Sequence, residues 1–95
     1  MPFDRRERVI NSSVAEFVRG LELAFPGGVT GQEHTLRIDA FDAALEIEIE
    51  VLEPVVIALL RLPRLRARFR FIAGRPDACD RLFNHLDRAT QRGGG

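Results

Sequence analysis

Leu45-Glu46-Ile47-Glu48-Ile49-Glu50-Val51 alternates apolar residue and carboxylate without a break. That two-residue period belongs to a strand with one face in a core and the other in water, whereas a helix would scatter the glutamates around its circumference. The alternation returns with opposite charge in Arg64-Leu65-Arg66-Ala67-Arg68-Phe69-Arg70-Phe71-Ile72, where Leu65, Ala67, Phe69 and Phe71 share one face. Two strands of one sheet are implied, one acidic and one basic on the outward side.

Between them, Pro54-Val55-Val56-Ile57-Ala58-Leu59-Leu60-Arg61-Leu62-Pro63 is too short to span a membrane, rich in apolar and β-branched residues, and bounded by prolines. It reads as a middle strand with sides Val56, Ala58, Leu60, Leu62 and Val55, Ile57, Leu59, Arg61. A strand apolar on both sides is one with something packed on each. His34 to Ala40 also alternates and supplies a first sheet strand, with a turn near Phe41-Asp42, while Val29 to Glu33 reads as a loop. Short connections favour antiparallel neighbours, so the four strands are expected as a meander in chain order.

Helices flank the strands. Ser13 followed by Glu16 fits a capping box, in which the serine caps a backbone N–H and the glutamate reaches back. From Val14 onward, Val14, Phe17, Val18, Leu21 and Phe25 form one helical stripe, and Pro26-Gly27-Gly28 ends the helix. Gly20 costs such a helix about 1 kcal/mol relative to alanine, which reads as a mark of close packing against the sheet. A second helix starts at Pro76, buries Cys79, Leu82, Phe83 and Leu86, and runs to about Gln91, with Arg88 and Arg92 at its C-terminal end. Arg5 to Asn11 is a short edge strand or an extended arm. The expected architecture is a two-layer α+β domain over 1–95, with both helices on the sheet face of Leu45, Ile47, Ile49, Phe69 and Phe71.

Composition narrows the function. With 45% hydrophobic against 29% charged residues the chain can build a core, and fourteen basic residues balance fourteen acidic ones, so it is no polyanion binder overall. Every basic residue is arginine, which excludes lysine Schiff-base and P-loop chemistry and fits an arginine-rich bacterial genome. Cys79 is the single cysteine, ruling out an internal disulfide and suiting a reducing compartment. No apolar signal segment follows Met1-Pro2-Phe3-Asp4-Arg5, so a cytoplasmic location is expected.

Chain order would give the outward sheet face a row of Glu46, Glu48 and Glu50, then Val55, Ile57, Leu59 and Arg61, then Arg64, Arg66, Arg68 and Arg70. Such a face is self-complementary about a two-fold axis, because each acidic row can meet the partner's basic row. The expected function is a protein-interaction or assembly domain, homodimeric through this face or docked on another protein, without catalysis. A small apolar ligand held between sheet and helices is the alternative.

Other chemistry is sparse. An arginine ladder attracts phosphate, but the carboxylate row repels it and the outward face has no aromatic stacking platform, so nucleic acid is disfavoured. His34 and His85 are the two histidines; His85 borders the helical stripe, and Cys79 lies within it. Ser12 and Ser13 belong to the helix cap. Residue spacing offers no metal site and implies no cofactor. Gly27, Gly28 and Gly31 follow a helix and precede a strand, the reverse of a phosphate loop. The tail Arg92-Gly93-Gly94-Gly95 resembles, in those letters, the terminal diglycine of ubiquitin-like carriers. That resemblance implies a β-grasp fold whose last strand leads into the tail, whereas here a helix runs straight into it.

Overall fold

The computed structural model describes residues 5–91, with the side chain of Gln91 left aside, so the Arg92-Gly95 tail and the first four residues lie outside the described residues. The elements are β1 (Arg5–Ile10), α1 (Val14–Ala24), β2 (Val29–Gln32), β3 (Thr35–Ala40), β4 (Ala43–Ile57), β5 (Leu60–Ala73) and α2 (Pro76–Gln91). They form an α+β structure with a five-stranded antiparallel sheet in the order β1-β5-β4-β3-β2. Strands β2 to β5 are a meander, and β1 returns to the far edge.

The expected middle strand does not exist. Pro54–Pro63 is folded in two: its first part extends β4 to Ile57, its last part begins β5 at Leu60, and Ala58-Leu59 makes the turn. The acidic and basic strands are therefore direct neighbours, with Glu46 opposite Arg70, Glu48 opposite Arg68 and Glu50 opposite Arg66. Ala58 takes a positive φ of 53° without the Gly, Asn or Asp that usually marks such a turn. The prolines lie inside the hairpin. Pro54 falls in a register shift between Leu52 and Val55, where one extra residue of β4 is accommodated. Pro63 lies opposite it on β5.

The second correction concerns Val29–Gln32, which is an edge strand rather than a loop, paired with β3 from Val29–Ile38 to Gln32–Thr35. Gly31 there has φ +116°, and a Cβ would stand 2.3 Å from the Thr35 carbonyl oxygen, so no other residue fits this close approach. The Phe41-Asp42 turn is as expected, with both residues at positive φ.

Both helices cover one sheet face. Phe17, Leu21 and Phe25 of α1 and Ala78, Cys79, Leu82, Phe83 and Leu86 of α2 are buried against Leu36, Ile38, Leu45, Ile47, Ile49, Leu65, Ala67, Phe69 and Phe71. Phe69 and Phe83 meet edge to face at 5.2 Å between centroids, the favoured aromatic geometry. The capping box forms as expected: Ser13 Oγ accepts from the Glu16 N–H at 3.2 Å, and Glu16 Oε1 accepts from the Ser13 N–H at 3.3 Å.

Gly20 does not mark close packing; a Cβ there would meet nothing within 4 Å. Gly20→Ala is therefore expected to stabilise the fold by about 0.5–1 kcal/mol, by removing backbone freedom from the unfolded chain. Phe69→Ala, which empties the fully buried centre of the sheet, is expected to cost about 3–5 kcal/mol. Denaturant titration of both variants checks these signs.

Candidate interaction surface

The outward face divides into a charged part and an apolar part. On the charged part the register puts unlike charges side by side across three strands. Arg66 donates from a terminal nitrogen to Glu50 Oε1 at 3.0 Å, Arg68 donates to the same oxygen at 3.3 Å, and Arg70 donates to Glu46. From β1, Glu7 approaches Arg66 Nε at 3.1 Å and Arg68 Nε at 3.7 Å. The Arg66 Nε contact is an ion pair without a well-aligned hydrogen bond. A shallow groove of about 480 Å³ crosses this ladder, lined by Arg5, Glu7, Glu46, Glu48, Arg68 and Arg70 among others. Four arginines and three glutamates line it, so both signs are interleaved along the groove.

Further out on β3, Arg37 grips Asp39 with two donors at 2.9 and 3.0 Å. This hydrogen bonding, with the attraction of the guanidinium, holds the Asp39 carboxyl below the usual carboxylate range.

The apolar part is the distal end of the β4–β5 hairpin. Strand β3 pairs with β4 only as far as Glu48, and β1 pairs with β5 only as far as Leu65. Beyond them, Leu52–Ile57 and Leu60–Arg64 have only each other as ladder partners, forming a two-stranded arm on the order of 15–20 Å long. Paired residues share a face, so Val55 with Leu62 and Ile57 with Leu60 continue the outward side, and Val56 with Arg61 lies on the other. Leu59 at the turn is fully exposed, Val56 and Leu60 are each 64% exposed, and Ile57 is 56% exposed. Ile57, Leu59 and Leu60 thus leave an exposed apolar surface at the end of the arm.

Of the ten residues expected to form one continuous interface, the structure thus joins Glu46, Glu48, Glu50, Arg66, Arg68 and Arg70 in one ladder and places Val55, Ile57, Leu59 and Arg61 on the arm. Arg61 does not share the outward side with Val55 and Ile57. Leu60 and Leu62, assigned from sequence to the opposite side, take its place. Their true side follows only once the turn is set at Ala58-Leu59.

Sequence reading also missed a cluster at the β1–α2 seam. The Arg6 guanidinium lies 4.5 Å from the Phe83 centroid and Arg8 lies 5.1 Å from it. Arg6 pairs with Asp80 at 2.9 Å and Arg8 with Asp87 at 3.3 Å, pinning the edge strand to the helix. The remaining candidates have structural surroundings: Cys79 is buried, and the His85 ring meets Phe25 and Phe41 edge-on with Nε2 2.8 Å from the Ala24 carbonyl oxygen. Among the described residues no group of three or more His, Cys, Asp or Glu side chains is arranged to hold a metal, and no helix is long and apolar enough to cross a membrane.

No protein-family model matches the chain, and a search of the curated proteins found no match to it.

Arg37→Ala is expected to raise the Asp39 pKa toward its ordinary value, read from the carboxyl carbon shift in an NMR titration. Because the folded value is the depressed one, the pair's contribution is present above the unfolded-state pKa and is lost as pH falls through the folded one.

Proposed function

We propose that this chain is a non-catalytic assembly module that pairs with a second copy through the apolar outer end of the β4–β5 hairpin. The observation that carries this reading is an arm apolar on its outward side and at its turn, in a protein whose core is already closed by its helices. The role of the charged rows changes from the one their sequence order implied. Glu46, Glu48 and Glu50 already have Arg70, Arg68 and Arg66 as cross-strand neighbours, so they keep the sheet face soluble, while affinity comes from Val55, Ile57, Leu60 and Leu62. A two-fold axis lets one apolar patch meet its own copy, so the contact closes as a dimer.

Pro54 and Pro63 support face-to-face rather than edge-to-edge contact. Neither can donate to an added strand, and prolines near open edges are a common device against unlimited pairing. The ladder works against nucleic acid, because each phosphate drawn to Arg66, Arg68 or Arg70 would displace or face a glutamate. A second reading, a small apolar ligand, draws support from an open cleft of about 340 Å³ between the start of α1 and the base of the arm.

Light scattering after size exclusion tests the assembly reading. The expected native mass is about 21 kDa, twice the 10.7 kDa of the chain, with no more than a few-fold change in dissociation constant between low and high salt. Ile57→Glu and, separately, Leu60→Glu are expected to give monomers with unchanged far-ultraviolet circular dichroism, since both residues are exposed. A native chain that stays monomeric up to millimolar concentration overturns the proposal.

A further inference from the structure

We infer that the two copies meet with their arms parallel and their turns at the same end, about a two-fold axis that runs along the strands between β4 and β5. This orientation rests on the self-association proposed above and goes on to fix which residue faces which. From the turn inward, the outward side of β4 carries Ile57, Val55 and Leu52 and then Glu50, Glu48 and Glu46. The outward side of β5 carries Leu60 and Leu62 and then Arg64, Arg66, Arg68 and Arg70. One column ends in carboxylates, the other in guanidinium groups.

Two directions of the axis lay this side on its own copy. An axis along the strands puts β4 of each copy over β5 of the other without changing the level along the arm. Every residue then faces the other copy's version of its own cross-strand neighbour: Ile57 meets Leu60, Val55 meets Leu62, Glu50 meets Arg66 and Glu48 meets Arg68. An axis across the strands puts β4 over β4 in reverse order. Centred on the Val55–Leu62 level, it presses Leu60 onto Arg64 and the turn onto Glu50 and Arg66; moved toward the ladder, it sets carboxylate over carboxylate. Covering charge with hydrocarbon and facing like charges both oppose association, so the surface fits a second copy about the first axis.

Arg64 favours the same choice. It is half-buried and has no ion-pair partner among the described residues. About the axis along the strands it faces Leu52 of the other copy, with that copy's Glu50 one level further in. Its stem covers the leucine while its charged end has a carboxylate to reach. The ladder residues already pair within each chain, as Arg66 does with Glu50 at 3.0 Å, so the gain across the interface is about threefold in dissociation constant. The charges therefore choose the orientation, and the apolar rows supply the strength.

A chain with the signs of the ladder exchanged tests this: Glu7→Arg, Glu48→Arg, Glu50→Arg, Arg66→Glu and Arg68→Glu together. The exchange keeps the unlike pairs among these five residues, so this chain is expected to dimerise within about threefold of the native one. Mixed with native chain and left to equilibrate, it sets like charges face to face. A threefold gain then becomes a threefold loss, and mixed dimers are expected about tenfold below the statistical level, falling from half of all dimers to about one tenth by native mass spectrometry. High salt is expected to restore mixing. Independently, Leu59→Cys in a Cys79→Ala background is expected to be joined to its own copy by a short bismaleimide, because the turns lie side by side; this result decides alone should the exchanged chain fail to fold. Free mixing at low salt, or a Leu59→Cys dimer by light scattering that the reagent leaves unlinked, overturns the parallel orientation and leaves self-association standing. A monomeric native chain overturns both.

Discussion

The structure depends on the register of β4 against β5. Antiparallel partners share a face, so aligning Glu46, Glu48 and Glu50 with Arg70, Arg68 and Arg66 simultaneously aligns Ile47 with Phe69 and Ile49 with Ala67 underneath. A slip of one residue would turn guanidinium groups into the core and phenylalanines into water. Single exposed ion pairs are worth little, typically under about 1 kcal/mol. Their importance here lies in the choice of partner strand: either row laid against its own kind would set like charges face to face, whereas a slip of two residues would keep each glutamate opposite an arginine, so the register itself rests on the buried apolar pairs. Once this pairing is set, the residues between the two charged runs must project beyond both neighbouring strands. The apolar arm is thus a direct result of how the charged halves meet.

Arginine serves two environments in the same sheet. On the outward face Arg66, Arg68 and Arg70 reach carboxylates across strands. On the helix side Arg6 and Arg8 lay their guanidinium groups over Phe83 while their ends pair with Asp80 and Asp87. A lysine would make the charge contact but would lack the flat group that covers the ring. The edge of the aromatic core is closed this way without a third helix.

Much of this was legible in the residue pattern. The alternation in 45–51 and 64–72 identified both strands and their buried faces, the Ser13–Glu16 spacing located the start of α1, and the stripes of both helices proved to be the buried ones. The error at 54–63 has a physical source. A hairpin turn is ordinarily announced by a residue that tolerates positive φ, and here Ala58 occupies that position while the prolines, the visible punctuation, lie at the bulge, Pro54 within it and Pro63 opposite. Strand β2 was hidden because Val29-Thr30-Gly31-Gln32 is an edge strand with one apolar residue, too little to show a period. The candidate surface suffered accordingly: its residues were recognised, but their division into a paired charged ladder and a projecting arm depends on where the chain reverses. The Arg6–Phe83 contact joins distant parts of the chain, and no local pattern encodes it.

The position of β1 bears on how the chain reaches this state. Strands β2 to β5 join neighbours through short turns, so their pairing closes small loops with little loss of chain freedom. Strand β1 pairs with β5 across four intervening elements, the longest-range pairing in the sheet and the one with the largest loop to close. In place, it covers the Arg66-to-Arg70 side of β5 and clasps Phe83. Without β1 that side of β5 is an open edge that another chain could pair with.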